Sequence, residues 1–254
     1  MKQMRINHLP DWTYARGEAI NMLCTNLTFS GADVRRIVVT SAHASEGKTT
    51  ISMEIMRKMA ELYHSVVLVD ADLRKSVLSA SYDLQFSDPQ PMGLAHYLAG
   101  RCEMDDVLYQ TNIPGAYMVP VGRTVSNPLQ LLNSARFPEM LSKLARMADY
   151  VIVDAPPLVA VIDGAQIGKS CDGALIVVEY NSVHRRELQD VKKQLEQSGC
   201  PILGVAMTKV DYSDYMSKKY YYKSYYYKSG YKRYEPYTSD ASKKDESPRS
   251  TPAK

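Results

Sequence analysis

The sequence predicts a doubly wound parallel α/β fold, and two patterns lead to this expectation. Short apolar runs rich in Val, Ile and Leu recur along the chain without polar alternation, as in strands buried on both faces of a parallel sheet. Amphipathic helical segments separate these runs, and such alternation is typical of right-handed βαβ crossovers. The chain has 254 residues, of which 45% are hydrophobic, so it can bury one such core and still carry tails.

The N-terminal segment, residues 1–34, begins with a polar stretch that Pro10 interrupts. Apolar residues then recur at helical spacing over residues 18–29, which predicts an amphipathic helix before the first strand. Two roles are open for this helix. Either its apolar face packs against the sheet, or it contacts another copy of the chain.

A strand, a loop and a helix are predicted next. The β-branched run at 37–39 leads into a loop, residues 41–50, that contains Gly-Lys-Thr, and helical periodicity continues over 49–63. We call residues 41–50 the phosphate loop. Its N–H groups and the positive end of the helix converge on a site for a polyphosphate. In such a site Lys48 reaches the β- and γ-phosphates and the Thr49 hydroxyl binds Mg²⁺.

Position 42 departs from the usual phosphate-loop pattern, which has glycine where this chain has Ala42. An alanine fits only if its φ is negative, so we expect the first turn of the loop to form without a left-handed residue there. The alternative interpretation is an ordinary helix N-terminus that carries Gly-Lys-Thr by chance. Two later strands that end in carboxylates favour the nucleotide site.

The remaining elements continue the alternation, and Pro120 indicates the end or the edge of a strand. In chain order we predict strand 65–70, short helix 93–100, strand 117–121, helix 128–147, strand 150–154, strand 173–179, helix 183–197 and strand 202–207.

Three aspartates stand where two of these strands end. Asp70 and Asp72 follow one strand, and Asp154 closes another. Because the carboxyl ends of parallel strands form the ligand-binding edge of an α/β sheet, we expect these carboxylates beside the phosphate loop. Asp70 and Asp72 share a face if the strand extends that far, while a solvated turn is the alternative. Mg²⁺ prefers oxygen ligands, so Thr49, Asp72 and Asp154 are candidate metal ligands.

The composition changes after residue 211. Residues 212–254 carry ten Lys or Arg against five Asp or Glu, together with eleven of the 19 tyrosines, and they show no apolar periodicity. We therefore expect three parts: residues 1–34, a domain at 35–211 and a disordered tail at 212–254. By itself the tail has a second interpretation, as a basic aromatic segment that binds nucleic acid or another polyanion.

Composition also argues against several classes of protein. No apolar run approaches the roughly 20 residues that a membrane-spanning helix needs. The four cysteines are scattered without a C-x-x-C pair, so neither a zinc site nor a disulfide framework is indicated. The net charge of +3 is too small to indicate a nucleic-acid partner. We expect a protein of the reducing cytoplasm.

Three motifs, taken in order, carry a resemblance to a known family. Gly-Lys-Thr at 47–49 is followed by four apolar residues and Asp-x-Asp-x-Arg at 66–74, and then by an apolar strand that ends in Asp-Ala-Pro-Pro at 154–157. This order resembles the bacterial tyrosine kinases of capsule and exopolysaccharide assembly, in their stand-alone CpsD/CapB form. The resemblance covers residues 18–211 and implies a P-loop NTPase fold related to MinD and ParA. It makes these segments the Walker A, Walker A′ and Walker B motifs.

The resemblance also implies an activity and its residues. The activity is a protein-tyrosine kinase that uses ATP and Mg²⁺ and autophosphorylates its tail tyrosines in trans. The implied catalytic residues are Lys48, Asp70, Asp72 and Arg74. The implied ATP-binding residues are Ala44, Ser45, Glu46, Gly47, Lys48, Thr49, Thr50 and Thr208, and the metal ligands are Thr49, Asp72 and Asp154. The implied phosphoacceptors are Tyr220, Tyr221, Tyr222, Tyr225, Tyr226, Tyr227, Tyr231 and Tyr234.

Four positions depart from the patterns of this family and its relatives. The E-x-x-R-x-x-R motif of the N-terminal helix reads Glu18, Asn21 and Cys24 here, without either arginine, so we do not expect ring assembly through its ion pairs. The late asparagine that reads adenine is Thr208, which cannot make the bidentate contact of an amide, so we expect relaxed base selectivity. MinD and ParA relatives carry a second lysine early in the loop, where this chain has His43.

Finally, the resemblance implies partners and a place in the cell. We expect a transmembrane adaptor of the chain-length-regulator type as activator, a tyrosine phosphatase, and self-association in trans. The kinase would lie at the inner face of the membrane through its adaptor and regulate polysaccharide polymerisation and export. Two alternatives remain: a MinD/ParA-like ATPase switch without protein kinase activity, and a polyanion-binding module.

Overall fold

Strands and helices alternate along the computed structural model, which describes residues 1–62 and 64–210. Within that part of the chain the order is β1 (Lys2–Ile6), α1 (Tyr14–Thr28), β2 (Arg36–Ser41), α2 (Lys48–Glu61), β3 (Val66–Asp70), α3 (Leu78–Tyr82), β4 (Leu84–Phe86), α4 (Leu94–Leu98), a 3₁₀-helix (Met104–Asp106), β5 (Tyr109–Gln110), β6 (Ala116–Val119), α5 (Pro128–Leu132), α6 (Arg136–Met147), β7 (Tyr150–Asp154), α7 (Asp163–Gly168), β8 (Gly173–Glu179), α8 (Arg185–Gln197) and β9 (Ile202–Thr208).

All of these strands join one sheet in the order β4-β1-β5-β6-β3-β7-β2-β8-β9. Neighbouring strands are parallel throughout the six-strand part from β6 to β9. Antiparallel pairs occur on the other side, between β5 and β6 and between β1 and β4. The predicted parallel α/β fold is confirmed, and the carboxyl ends of β3, β7 and β2 lie side by side at its centre.

Strand β3 shows how the sheet buries both of its faces. Val67 and Val69 pack into the hydrophobic cluster formed with α4 to α8. Val66 and Leu68 pack into the opposite cluster, formed with α1 to α3. All four side chains are at most 2% exposed. The unbroken apolar run in the sequence is explained by this two-sided burial.

The N-terminal segment contributes more to the sheet than the sequence pattern indicates. Residues 2–6, expected as a polar lead, form β1, which pairs with β4 and β5. Met4 and Ile6 are buried on alternate positions of this short strand. Helix α1 packs against α2, and Cys24 is completely buried, so position 24 faces the core of the protein. Contact of α1 with another copy of the chain stays a prediction.

The single helix predicted over residues 128–147 is wrong, because the structure has two helices, α5 and α6, separated by a turn. The break lies before Pro138, which stands in the first turn of α6. In one continuous helix the Pro138 ring would clash with the carbonyl of Ser134 and remove a hydrogen bond. Instead, the Ser134 hydroxyl donates to the Leu131 carbonyl at 2.7 Å and closes α5.

Within residues 1–62 and 64–210, no helix has both the length and the apolar character needed to cross a bilayer. The predicted acceptor tyrosines from Tyr220 to Tyr234 lie outside the described residues.

Candidate active site

The candidate active site lies at the carboxyl edge of the sheet, where β2, β3 and β7 end. In the strand register Val39 of β2 is opposite Asp154 of β7, and Asp154 is opposite Asp70 of β3. Strand β2 leads directly into the phosphate loop, so the loop and both carboxylates share one edge.

The phosphate loop turns through two residues with left-handed backbone conformations. Gly47, which precedes α2, has a φ of 91°, and Ser45 has a φ of 67°. A serine in this region is uncommon, and such residues cluster at ligand-binding sites. Ala42 has no positive φ, as we expected, and its carbonyl accepts a hydrogen bond from the Val159 N–H at 3.1 Å. The start of the loop is thereby anchored to the segment that follows β7.

The Glu46 carboxylate holds the loop together from inside. It is 2% exposed, and its Oε2 atom accepts a hydrogen bond from the His43 N–H at 2.7 Å. Its Oε1 atom accepts longer bonds of 3.4 Å from the Glu179 N–H and the Ser182 hydroxyl. The Glu46 side chain therefore ties the loop to the end of β8, and the Glu46 backbone is the part of this residue that can contact a nucleotide.

Thr208, at the end of β9, contacts the phosphate loop. Its hydroxyl donates to the Glu46 carbonyl at 2.6 Å. A Cβ atom at Gly47 would lie only 3.3 Å from the Thr208 methyl group, so the loop passes this side chain closely. Because the single hydroxyl proton is already used, Thr208 can offer a nucleotide base only an acceptor.

We expect ATP and GTP to bind this protein with affinities that differ by less than about tenfold, since the lost bidentate contact of an amide is worth about 1–3 kcal/mol. Competition of each nucleotide against a fluorescent ATP analogue measures the ratio. Thr208→Asn, which restores an amide, should increase the preference for ATP. A wild-type preference for ATP above about a hundredfold would contradict this role of position 208.

Lys48 forms a buried ion pair with Asp72. The ammonium Nζ lies 3.7 Å from Asp72 Oδ2, and the two residues are 9% and 5% exposed. The other carboxylate oxygen of Asp72 accepts a hydrogen bond from the Lys75 N–H at 3.0 Å, which fixes the turn after β3. Because the Lys48 ammonium has this single ion-pair partner within the described residues, at a distance longer than that of a hydrogen bond, it can still contact an incoming phosphate.

Asp154 is held by two hydroxyl groups of α2. The Thr49 hydroxyl donates to Oδ2 at 2.7 Å. The Ser52 hydroxyl, which also lies 3.0 Å from the Lys48 carbonyl, is 3.2 Å from Oδ1. Burial raises the pKa of Asp154 to about 6, although the positive charge of Lys48 and the two hydroxyl contacts favour the ionised form. Ser52 was not predicted as a site residue. Its position one helical turn after Lys48 is the signal that could have identified it.

Asp70 is the most strongly perturbed carboxyl group of the site. It is 2% exposed, its Oδ2 atom accepts a hydrogen bond from the Ser76 hydroxyl, and its Oδ1 atom has no partner within the described chain. Burial and the negative charge of Asp154 raise the pKa of Asp70 to about 8. Ser76 was not predicted as a site residue either, because a serine in a turn carries no distinctive signal.

Arg74 is paired with Asp163 at the start of α7. Its Nε lies 2.6 Å from Oδ2 and one terminal nitrogen lies 3.2 Å from Oδ1, a bidentate geometry. Asp163 is 1% exposed, and hydrogen bonding to it raises the pKa of Arg74. The Arg74 side chain is 40% exposed, so this cation is accessible from solvent. Asp163 therefore positions this cation.

The donor set fits Mg²⁺ bound together with a nucleotide. Thr49 and Asp154 each supply an oxygen atom, and these two atoms lie within hydrogen-bonding distance of each other. Asp72 lies near Lys48 at the same edge of the sheet. In the part of the chain that the structure describes, no three His, Cys, Asp or Glu side chains are arranged to hold a metal ion by themselves. Phosphate oxygens would have to complete the coordination. Ala44, Ser45 and Thr50 are exposed around the cradle, as ligand-contacting residues should be.

Comparison with known proteins agrees with this site. A family model described as "AAA domain" matches residues 34–198. The tyrosine-protein kinase CpsD of Streptococcus pneumoniae is 39% identical over 196 residues, which cover 77% of this chain and 85% of that protein. The kinase domain of the Escherichia coli tyrosine kinase ETK has 29% identity and a TM-score of 0.70, and the match covers 77% of this chain and 78% of that one.

A more distant likeness concerns the fold alone. The septum site-determining protein MinD of Pyrococcus horikoshii has a TM-score of 0.58 at 22% identity, over 68% of this chain and 69% of that one. The predicted relation to MinD-type P-loop proteins is confirmed at the level of the fold. The identity to CpsD over most of both proteins, together with the likeness to the ETK kinase domain, places the chain more narrowly. The chain belongs to the CpsD family of bacterial tyrosine-protein kinases.

Proposed function

We propose that this kinase transfers the γ-phosphoryl group of ATP to tyrosine hydroxyls in its own C-terminal segment, in trans between copies. Through this reaction it regulates the polymerisation and export of a capsular polysaccharide or exopolysaccharide. The observation that carries the proposal is the adjacency of Asp70 and Asp154 at the ends of neighbouring strands, beside the phosphate loop. Asp70 is a second carboxylate at that edge, and its Oδ1 atom, which has no partner in the described residues, can orient the hydroxyl of an acceptor.

ATP and Mg²⁺ would be held by the phosphate loop and its neighbours. The loop N–H groups and the N-terminus of α2 bind the phosphates, and Thr49 and Asp154 bind the metal, with Asp72 as a direct or water-mediated ligand. When bound, Mg²⁺ neutralises negative charge on the β- and γ-phosphates. Thr208 lies on the side of the loop where we place the base.

The protein side chains divide the remaining tasks. Lys48 contacts the γ-phosphoryl oxygens and stabilises their charge as the phosphoryl group leaves. In its ionised form, which the positive charge of bound Mg²⁺ would favour, Asp70 orients the acceptor hydroxyl and finally accepts its proton. A tyrosine hydroxyl has a pKa of about 10, so positioning matters more than basicity in a loose phosphoryl-transfer transition state. Arg74, fixed by Asp163, stabilises charge or positions the acceptor at the site opening.

The acceptors we propose are Tyr220, Tyr221, Tyr222, Tyr225, Tyr226, Tyr227, Tyr231 and Tyr234. Incubation of the full chain with ATP and Mg²⁺, followed by mass spectrometry, maps the phosphate. We expect phosphotyrosine within residues 212–237. A phosphotyrosine-free tail under these conditions, with or without an adaptor fragment, would remove the proposal.

Transfer between copies has its own test. A tail-deleted chain ending at residue 211 should phosphorylate the tail of a full-length Lys48→Met chain, which carries acceptors but lacks the phosphate-binding ammonium. Phosphate should then appear on the Lys48→Met tail at a rate that rises with the concentration of the tail-deleted enzyme. Transfer would instead occur within one chain if the wild-type protein is phosphorylated at a rate per molecule that is independent of protein concentration and the Lys48→Met tail receives no phosphate in the mixture.

The partners we propose are a transmembrane adaptor of the chain-length-regulator type, which activates the kinase and holds it at the inner face of the membrane, and a tyrosine phosphatase that reverses the reaction. Support for both is membership of the CpsD family. The fold likeness to MinD favours one second candidate, an ATPase switch that transfers no phosphate to protein. That switch would hydrolyse ATP equally well after deletion of residues 212–254.

A further inference from the structure

The two carboxylate oxygens of Asp70 have different environments. Oδ2 accepts the hydrogen bond from the Ser76 hydroxyl, while Oδ1 is buried without a hydrogen-bond partner in residues 1–62 and 64–210. A buried polar atom without a partner is costly and is rare in folded proteins. Such an unfavourable arrangement is expected where the atom binds a substrate group that is present only during the reaction.

The Ser76 hydroxyl is itself held in position. Its oxygen accepts a hydrogen bond from the backbone N–H of Leu78, at 3.3 Å, and Leu78 is a buried residue at the start of α3. Because its oxygen is engaged as an acceptor there, its proton is directed to the carboxylate. The turn before it is fixed as well, by the bond from the Lys75 N–H to Asp72 and by the bond from the Val125 N–H to the Leu73 carbonyl at 3.0 Å.

We propose that Ser76 is the positioning residue for Asp70: by binding Oδ2 it fixes the carboxyl rotamer and leaves Oδ1 free for the hydroxyl of the acceptor tyrosine. The inference rests on the proposed kinase function and deepens it. In the transfer step the tyrosine oxygen forms a bond to the γ-phosphorus, and the bond from that phosphorus to the bridging oxygen of ADP breaks. The bridging oxygen keeps the electron pair, and the phenolic proton passes to Asp70 Oδ1.

A purely structural role for Ser76 gives different expectations. If the hydroxyl only caps the first turn of α3, its loss should lower stability and affect every function of the site alike. If it positions Asp70, its loss should lower kcat for tyrosine phosphorylation while the KM for ATP is unchanged, because Lys48 and the phosphate loop are not altered. The effect should also disappear when Asp70 can no longer act.

The experiment is a double-mutant cycle in the full chain with ATP and Mg²⁺, using Ser76→Val and Ser76→Thr, two side chains of nearly equal shape of which only threonine keeps the hydroxyl. We expect Ser76→Val to lower kcat by about tenfold and Ser76→Thr to retain activity within about threefold of wild type. In an Asp70→Asn background, Ser76→Val should change the residual rate by less than about twofold. Ser76→Ala replaces Ser76→Val in the cycle if the latter fails to fold.

The positioning role would be overturned if Ser76→Val and Ser76→Thr lower kcat equally. It would also be overturned if Ser76→Val lowers kcat by the same factor in the wild-type and Asp70→Asn backgrounds. Full activity of Ser76→Val would overturn it as well. These outcomes differ from a failure of the proposed function, because in that case the wild-type chain itself would form no phosphotyrosine.

Discussion

We expect Lys48→Met to reduce the rate of tyrosine phosphorylation to below about 1% of the wild-type rate. A loss of this size is typical when one preorganised charge is removed from a phosphoryl-transfer site. The structure explains the size of the effect. Lys48 is 9% exposed, and its only ion-pair partner within the described residues, Asp72, lies 3.7 Å away, so the substitution removes a buried positive charge from the phosphate loop. Methionine has a similar length and shape but carries neither charge nor donor.

The matched control is Lys58→Met, on the same helix. Lys58 pairs with Glu61 at 2.7 Å and lies over the Trp12 ring, far along α2 from the phosphate loop. It should keep activity within about twofold of wild type, since its ammonium contacts Glu61 and the Trp12 ring and not the phosphate loop. Phosphate incorporation from radiolabelled ATP measures both variants, and circular dichroism checks their folding. Undiminished labelling in Lys48→Met would eliminate the proposed site.

Asp70→Asn should have two large effects of opposite kinds. It should lower phosphorylation by about a hundredfold, the usual range for losing a positioned proton acceptor. It should also stabilise the protein without nucleotide and metal at pH 8. Asp70 is buried beside Asp154, and burial and that charge raise its pKa from 3.8 to about 8. An asparagine at this position keeps the shape but needs no ionisation.

The sign of the pH dependence follows from that shift. Because the pKa of Asp70 is raised in the folded state, its favourable contribution is complete below the ordinary value of 3.8 and is lost as the pH rises to about 8. Wild type should therefore lose stability over this range, and Asp70→Asn should lose less, with a gain of about 2 kcal/mol or more at pH 8. Asp154, with a pKa raised to about 6, acts in the same direction in both proteins.

Urea unfolding in EDTA at pH 5 and pH 8 measures this difference. Asp88→Asn is the control, because Asp88 is a surface carboxylate that pairs with Lys2 at 2.9 Å. The hydrogen bond from the Gln90 backbone and the pair with Lys2 lower the pKa of Asp88. It should not gain stability at pH 8. An Asp70→Asn variant that is less stable than wild type at pH 8 would show that Asp70 is not a strained buried acid.

Much of this site could be predicted from the sequence because its motifs lie where strands end. The phosphate loop, Asp70 and Asp154 follow apolar runs, and parallel strands bring such ends to one edge. The pattern did not show that β3 and β7 are direct neighbours, which puts Asp70 opposite Asp154 in register. Strand order depends on packing between distant segments, and no local pattern encodes it.

Other features depend on contacts that leave little trace in the sequence. Ser52 and Ser76 are ordinary serines until the fold places their hydroxyls on Asp154 and Asp70. Strand β1 is too short for its alternation to be distinguished from a polar lead. The break between α5 and α6 does have a signal in Pro138, but the apolar periodicity that continues on both sides of it favours a single helix.

We propose that the phosphate loop and the carboxylates at this edge form one site around the end of a triphosphate. A crystal structure of the protein with a non-hydrolysable ATP analogue and Mg²⁺ tests it most directly. We predict that Lys48 contacts the γ-phosphate, that Asp154 binds the metal directly or through one water molecule, and that Asp70 Oδ1 faces the γ-phosphorus from the side of the acceptor. A complex in which Asp70 and Asp154 lie away from the terminal phosphate would show that these carboxylates do not act on the transferred group.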